Sequence, residues 1–247
     1  LGDVYKRQHG MSTDPVSFDN TAIAFATRSD EELRKARWMF RLMGNGAVVD
    51  IGAHLTRMAL RIGLPVQSLV KQTIYSQFCG GETLEECVPV VERLAEQSVS
   101  TILDYGVEAK ESEAEFDANV EEQIRAIDFA NGRASVPYIS CKITGYATFG
   151  LLERLSDGSL TDDDAEALER LKARLKRICD VAVRSDVAVY VDAEESWIQD
   201  GIDELVDWLM ETYNVDKPVV FNTVQLYRHD RLAFFKASHQ RAVKHSY

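Results

Sequence analysis

The sequence of 247 residues predicts an α/β fold in which an all-helical arm precedes a parallel sheet. From Ser98 onward, short apolar runs alternate with long helical patterns. Four such runs are predicted as strands, at Val99–Leu103, Tyr138–Ile143, Val187–Val191 and Pro218–Val224. Before Ser98, apolar residues recur at three- and four-residue spacing, and no convincing strand is present. Because strands that alternate with helices join in parallel through right-handed crossovers, we expect one sheet from the second part of the chain.

The helical arm is predicted from residue 11 to residue 97. Four helices are expected in it, starting at the capping box of Ser29 with Glu32, running over Ala47–Ile62 and Val66–Cys79, and starting again at Thr83 with Glu86. Residues 1–10 have no apolar stretch of the kind a signal peptide needs, and they precede a plausible initiator, Met11. We therefore expect residues 1–10 to be a non-native leader.

The second part, residues 98–247, is predicted to be half of a barrel. Helices are expected from about Glu111 to Ala130, from Thr161 with Asp164 as its cap, from Ser196, and from about His229 towards the end. A functional side chain follows each of the four runs, which suits a (β/α)₈ barrel, but such a barrel needs about 250 residues by itself. The chain therefore holds about four of the eight β–α units. No glycine-rich phosphate-binding motif follows any strand, which removes the usual evidence for a dinucleotide site or a P-loop.

Composition excludes several classes of function. The 28 basic and 40 acidic residues give a net charge of −12, which argues against a nucleic-acid partner. The four cysteines show no CxxC spacing and are predicted to be reduced thiols of a cytosolic protein. The five histidines do not cluster as zinc ligands, and no run of 18 apolar residues predicts a transmembrane segment.

The polar residues at the four strand ends are the candidate site, because the carboxyl ends of parallel strands meet at one rim of the sheet. They are Asp104, Glu108, Lys142, Asp192, Glu194, Glu195, Gln225 and Tyr227. Lys142 interrupts an apolar run, where a lysine is costly unless it is paired. Gln225 is expected to be a buried amide that needs partners. Trp197 and Trp208 are expected to belong to the core.

Three chemistries fit these side chains, and their spacing does not choose among them. Lys142 could form a Schiff base, as in aldolases built on barrels. Asp192, Glu194 and Glu195 could hold Mg²⁺. Alternatively, Lys142 could anchor a substrate carboxylate while Gln225 and backbone groups hold a flat cofactor.

Four motifs, read together, resemble one family. They are LDYGVEAK at Leu103–Lys110, CKIT at Cys141–Thr144, YVDAEES at Tyr190–Ser196 and FNTVQLY at Phe221–Tyr227. In this order they resemble proline dehydrogenase, a flavoenzyme with a distorted (β/α)₈ barrel and a helical N-terminal arm. The resemblance extends from about Phe18 to Tyr247 and includes FCGGET at Phe78–Thr83. It is closer to the monofunctional enzymes than to the bifunctional proline utilisation proteins.

The resemblance implies FAD-dependent oxidation of L-proline to Δ1-pyrroline-5-carboxylate, with electrons passed to a quinone at the membrane surface. Lys142 and Asp192 match catalytic residues that also bind the substrate, and Glu108 matches a further substrate-binding position. Gln225, Asp192 and Thr223 match positions that contact the flavin, and no metal is expected. The family further implies a bacterial cytoplasmic protein, or one peripheral to the inner membrane, with a mitochondrial location as the alternative. The oligomeric state stays open.

Two motifs of the family are missing from this chain. The family's next strand carries an Arg followed by Gly-Ala-Tyr, and its last helix carries paired arginines; Arg241 and Tyr247 do not match them. We therefore expect the chain to be the N-terminal part of a longer enzyme, which by itself binds FAD poorly and turns over no proline. Two alternatives remain, which are a Schiff-base lyase or aldolase that uses Lys142 and an inactive partial barrel.

Overall fold

The computed structural model describes residues 19–106 and 111–247. The packing of the backbone divides the chain into two compact units, with the division after Gly81. This division comes earlier in the chain than the predicted boundary at residue 97. The leader predicted at residues 1–10 lies outside the described residues.

The first unit is helical. Its helices are Thr21–Ala24, Asp30–Met43, Gly46–Arg61, Gln67–Val70 and Ser76–Phe78, with a π-helical turn at Lys71–Tyr75. The capping box is confirmed, because the Ser29 amide donates to the Glu32 carboxylate over 2.8 Å and the Glu32 amide donates to the Ser29 hydroxyl over 3.2 Å. The helix predicted over Val66–Cys79 is confirmed in its extent, because the chain is helical from Gln67 to Phe78, but a π turn lies in its middle. A π turn inserts one extra residue per turn, which the spacing of apolar residues in the sequence did not reveal.

Little apolar surface is buried within the described part of this unit. Met39 is buried, whereas large side chains such as Trp38 and Ile51 are mostly exposed. Tertiary burial normally supplies most of a helix's stability, so the contacts within this unit contribute less to its helices than is usual.

The second unit contains a four-stranded parallel sheet covered by helices. Its strands are β1 (Ile102–Leu103), β2 (Tyr138–Cys141), β3 (Ala188–Val191) and β4 (Val220–Asn222), and they lie side by side in chain order. Its helices are Leu84–Ala95, Glu113–Ala130, Phe149–Asp157, Ala165–Ser185, Gln199–Tyr213 and Arg231–His245, with 3₁₀ turns at Ile143–Gly145 and Asp162–Asp164. The predicted fold class, a helical arm followed by about four β–α units, is confirmed.

The two faces of the sheet differ in chemistry. Ile139 and Val189, which are paired across β2 and β3, are buried in the core. The opposite face carries aromatic rings, with the centroids of Tyr138 and Tyr190 4.8 Å apart and those of Tyr190 and Phe221 4.9 Å apart. Side chains on a strand alternate between faces, so the residues that follow Tyr190 by two positions return to this aromatic face. The candidate site begins there.

Helices pack their apolar faces on the other side of the sheet. The predicted face of the helix Ala165–Ser185 is confirmed, because Leu171, Leu175 and Ile178 are buried in the core cluster. Burial of each such side chain contributes about 1.5–3 kcal/mol to folding. This packing fixes the sheet against its helices and so fixes the positions of the strand ends.

The segment after β3 differs from its prediction. The expected helix start at Ser196 is wrong, because turns occupy this stretch and the helix begins at Gln199. Trp197 lies in these turns and is 58% exposed, so its assignment to the core is wrong. Trp208, which lies inside the helix, is partly buried against the core. The apolar pattern located the helix correctly but did not show where its first turn starts.

One helix of the second unit, Phe149–Asp157, was not predicted. Thr148 caps its start, and Gly158 ends it in the left-handed conformation with φ of 73°. It packs against the helix Gln199–Tyr213 at Gly201, whose amide donates to the Ser156 hydroxyl over 2.8 Å. A Cβ atom at Gly201 would lie 2.9 Å from that hydroxyl oxygen, so this close approach requires glycine.

Two of the cysteines lie in the interior of the protein. Cys141 and Cys179 are buried free thiols, and burial raises the pKa of Cys141 to about 12.

None of the helices within the described ranges combines the length and the apolar character needed to cross a bilayer.

Candidate functional site

Two aspartates hold Lys142 at the carboxyl edge of the sheet. Its Nζ lies 2.9 Å from Oδ2 of Asp104, which follows β1, and 2.9 Å from Oδ2 of Asp192, which follows β3. The lysine side chain is 18% exposed. Lys142 is therefore paired, as its place in an apolar run requires, and three strand ends meet at one ammonium group.

The register of β2 and β3 explains why these groups meet. Ser140 lies opposite Tyr190, so Lys142 and Asp192, each two residues further along, leave neighbouring strands on the same face. The Asp192 amide donates to the Cys141 carbonyl over 2.9 Å, which continues the pairing of the two strands as far as the site. The Ser140 hydroxyl donates to the Asp192 carboxylate over 2.8 Å and fixes its orientation.

The electrostatics of Lys142 favour a permanent cation. Burial by itself lowers the pKa of Lys142, but the hydrogen bonds to Asp192 and Asp104 outweigh burial and raise this pKa above its ordinary value. A Schiff-base lysine must instead lose its proton to attack a carbonyl group, so such lysines have lowered pKa values. The arrangement at Lys142 therefore favours a charged lysine paired with Asp104 and Asp192 over a nucleophilic one.

A second set of hydrogen bonds joins the ends of β2, β3 and β4 through Glu194. The carboxylate of Glu194 accepts from the Thr144 amide over 3.1 Å and also from the Thr144 hydroxyl. The main-chain carbonyl of Glu194 accepts from the Gln225 side-chain Nε2 over 3.0 Å. Gln225 therefore has a fixed orientation, and its amide is half-buried beside Glu194.

Burial raises the pKa of the Glu194 carboxyl group, and the hydrogen bonds from Thr144 offset only part of this effect. A carboxyl group with a raised pKa contributes stability at low pH that is lost as the pH rises through the raised value. With Glu194→Gln, which cannot titrate, the free energy of unfolding should therefore decline less steeply than in the wild type as the pH rises above the ordinary range of a glutamate carboxyl group. Urea unfolding at several pH values measures this slope. A wild-type slope in Glu194→Gln would contradict the argument.

These groups surround a shallow depression of about 360 Å³. Its walls are formed by Lys142, Thr144, Phe149, Ala193, Glu194, Glu195 and Gln225. The ammonium group of Lys142 lies at one side of this depression, and the side-chain amide of Gln225 lies at the other. Larger depressions lie along the helix Arg231–His245, but they contain no comparable convergence of strand-end residues.

The remaining predicted residues have different positions. Thr223 is half-buried just after β4, and its amide donates to the Val191 carbonyl over 3.1 Å, but it does not line the depression. Glu195 is exposed at its edge, and Tyr227 is 84% exposed. Glu108 lies outside the described residues. Within residues 19–106 and 111–247, no group of three or more His, Cys, Asp or Glu side chains is arranged to hold a metal ion.

Sequence reasoning missed several polar residues that support the site. They are Ser140, Thr144, Gln199, Asp203, Asn222 and Arg231. The sequence pattern could have indicated two of these residues. Gln199 and Asp203 are four residues apart, on the same face of a helix as Ile202, and a polar pair on an apolar face needs a buried partner.

Comparison with known proteins places this geometry in a family. A family model described as proline dehydrogenase matches residues 87–247. The protein CarD of carbapenem antibiotic biosynthesis from Pectobacterium carotovorum is 33% identical over 70% of this chain and 46% of its own length. Mitochondrial proline dehydrogenase 1 from Arabidopsis thaliana is 26% identical over 89% of this chain and 53% of its own length. The chain thus spans about half the length of the curated relatives that it matches.

Solved structures show the same fold. Proline utilization A from Bdellovibrio bacteriovorus aligns with 99% of this chain and 27% of its own length, with a TM-score of 0.60 and 18% identity. The described strands and the matched residues coincide, because all four strands lie within residues 87–247. The chain belongs to the proline dehydrogenase family.

Proposed function

We propose that the polypeptide that carries these residues is an FAD-dependent oxidoreductase that converts L-proline to Δ1-pyrroline-5-carboxylate and passes the electrons to a quinone at the membrane surface. Membership of the family supports the activity, and the geometry around Lys142 supports the substrate. The chain spans about half the length of its curated relatives. We therefore propose the substrate, the electron acceptor and the cofactor for the polypeptide that carries this chain. The resemblance alone supports a bacterial cytoplasmic location, with mitochondria as the alternative.

The observation that carries the proposal is the pair of hydrogen bonds at Lys142. A lysine fixed as a cation at the rim of a sheet can bind a substrate carboxylate without first taking up a proton. Asp104 and Asp192 hold the ammonium group in one position, so little side-chain entropy is lost when the carboxylate binds. Charge-assisted hydrogen bonds of this kind contribute about 1.5–3 kcal/mol each.

In this proposal Asp192 is the acid that meets the ring nitrogen of the substrate. Lys142 and Ser140 both donate to Oδ2 of its carboxylate, which leaves Oδ1 able to accept another hydrogen bond. At neutral pH proline carries a positive NH₂ group and a negative carboxylate. In the proposal Lys142 binds the negative group and Asp192 the positive one, so the two residues orient the substrate together.

The donor set on the other side of the depression fits a flavin. The edge of a flavin ring offers both carbonyl acceptors and a ring N–H donor, and a primary amide can pair with either kind of group. Gln225 uses Nε2 for the Glu194 carbonyl, so its Oε1 can accept from a ligand in the depression. FAD, when bound, would accept the two electrons released when the C–N bond of proline becomes a C=N bond, and Gln225 would orient the ring. A role for Thr223 at the flavin stays a prediction from the resemblance. A role for Glu108 in substrate binding stays a prediction from the resemblance.

The test uses the polypeptide expressed from its complete coding sequence and supplied with FAD. Addition of L-proline without oxygen should bleach the visible absorbance of the flavin and give a product that reacts with o-aminobenzaldehyde, whereas D-proline should do neither. A soluble quinone should then restore the absorbance. The opposite result would be a protein that takes up no flavin and is trapped covalently on Lys142 by a carbonyl compound and borohydride. That outcome would replace the proposal with the Schiff-base alternative.

A further inference from the structure

A buried polar network lies behind the depression, between the helices Gln199–Tyr213 and Arg231–His245. Its centre is Asp203, which is 3% exposed. One carboxylate oxygen, Oδ1, accepts from Gln199 Nε2 over 3.0 Å and from Asn222 Nδ2 over 2.9 Å. The other oxygen pairs with Arg231, itself 3% exposed. All the oxygen atoms of this buried carboxylate therefore have partners.

This network reaches the candidate site through Gln199. The side-chain Oε1 of Gln199 accepts from the main-chain amide of Glu194 over 2.7 Å. The main-chain carbonyl of Glu194 in turn accepts from Gln225 over 3.0 Å. Hydrogen bonds thus connect Arg231 through Asp203 and Gln199 to the backbone of Glu194. The same backbone holds the side-chain amide of Gln225, which faces the depression.

Stability alone does not account for such an arrangement. A buried ion pair loses hydration of both charges, and well-packed apolar side chains of the same size are often equally stabilising. A second ion pair joins the same two helices, where Asp207, one turn after Asp203, pairs with Arg241. That pair is more exposed, with the Arg241 side chain 38% accessible to solvent. Holding the helices together therefore does not require the particular geometry at Asp203.

We propose that Asp203 is a positioning residue, which acts through Gln199 and the backbone of Glu194 to fix the Gln225 amide in its ligand-binding orientation. The inference rests on the proposed function only in naming the flavin ring as the ligand of Gln225. The orientation of Gln225 itself follows from contacts between described residues.

The first measurement needs no cofactor. Asp203→Asn replaces one carboxylate oxygen by an NH₂ group, which is a donor and cannot accept from Gln199 or Arg231. The remaining oxygen pairs more strongly with the charged Arg231, so the NH₂ group faces Gln199, which should lose its fixed position. Hydrogen–deuterium exchange at the Glu194 amide should become roughly tenfold faster or more. The matched control, Asp207→Asn, removes the neighbouring ion pair and should leave this exchange rate unchanged. Unchanged exchange in Asp203→Asn, or equal acceleration in both variants, would overturn the proposal.

The second measurement separates positioning from a general structural role. Gln225→Leu should weaken FAD binding by roughly tenfold, and Asp203→Asn by roughly three- to tenfold. If Asp203 acts through Gln225, the double variant should bind FAD about as well as Gln225→Leu alone, whereas Asp207→Asn combined with Gln225→Leu should show additive effects. Additive effects for Asp203 and Gln225 would contradict the proposal.

Two further outcomes are distinguishable. If Asp203→Asn does not fold, Gln199→Leu breaks the same connection at its next member and is measured in the same way, with the same expected results. If the wild-type protein binds no FAD, the proposed function fails, but the exchange rate at Glu194 still tests the positioning role of Asp203.

Discussion

Replacement of Lys142 by methionine should weaken proline binding by roughly 10- to 100-fold, because one charge-assisted hydrogen bond contributes about 1.5–3 kcal/mol and 1.4 kcal/mol is a factor of ten. Methionine keeps most of the apolar length of the side chain but removes the cation between Asp104 and Asp192. The two aspartates would then face the substrate carboxylate without compensation, which favours the upper end of the range. The dependence of the rate of flavin reduction on proline concentration measures the effect.

The control for this prediction is Lys217→Met. Lys217 also pairs with an aspartate, Asp186, but it is half exposed and lies just before β4, at the amino end of the sheet and away from the depression. The Lys217→Met variant should leave the dependence of the flavin-reduction rate on proline concentration unchanged. An unchanged proline dependence in Lys142→Met would remove the main support for substrate recognition at this site.

Replacement of Arg231 by methionine should lower the free energy of unfolding by about 3–5 kcal/mol, since it leaves a buried carboxylate without its partner. The side chains of Arg231 and Asp203 are 4% and 5% exposed, so water cannot replace the lost interaction. The guanidinium also lies 4.1 Å from the centre of the Phe234 ring, and this contact is lost as well. A loss of this size is a large fraction of the 5–15 kcal/mol that typically stabilises a domain.

Chemical denaturation of both variants measures this difference. Arg241→Met is the matched control on the same helix, because Arg241 is 38% exposed and its pair with Asp207 is more accessible to solvent. Its loss should be about 1 kcal/mol or less. Equal losses in the two variants would show that burial of the Asp203 pair makes no difference to its contribution.

Much of the fold could be predicted because local patterns and the tertiary structure agree. Apolar runs marked all four strands, although each observed strand is shorter than its run, as at β1, where only Ile102 and Leu103 pair. At β2, β3 and β4 the apolar run extends further because Ile143, Val187 and Val219 are buried beside the strands without belonging to them. At β1 this reason does not hold, since Val99 is 48% exposed. Capping residues such as Ser29 and Thr83 also identified helix starts correctly, because a cap acts within four residues.

The failures have one physical origin, which is dependence on contacts far away in the chain. Asp203 pairs with Arg231 from a separate helix, and no local pattern announces that partner. Trp197 follows an apolar strand and precedes an apolar helix, yet its exposure depends on turns that carry it out of the core. For the candidate site, the strand-end rule located Lys142 and Asp192, but their partner Ser140 became visible only through the register of two strands.

The order of the strands bears on how the second unit folds. Each strand pairs with the next one along the chain, and every pairing closes a loop of about 30 to 50 residues. Closure entropy grows slowly with loop length, so no step in this series is much harder than another. During synthesis, β1 and β2 can pair before β3 has left the ribosome, and each later strand meets an edge that is already formed. The aspartate–lysine contacts at the sheet rim would then assemble in the same sequence, with Lys142 meeting Asp104 before Asp192 exists to complete the group.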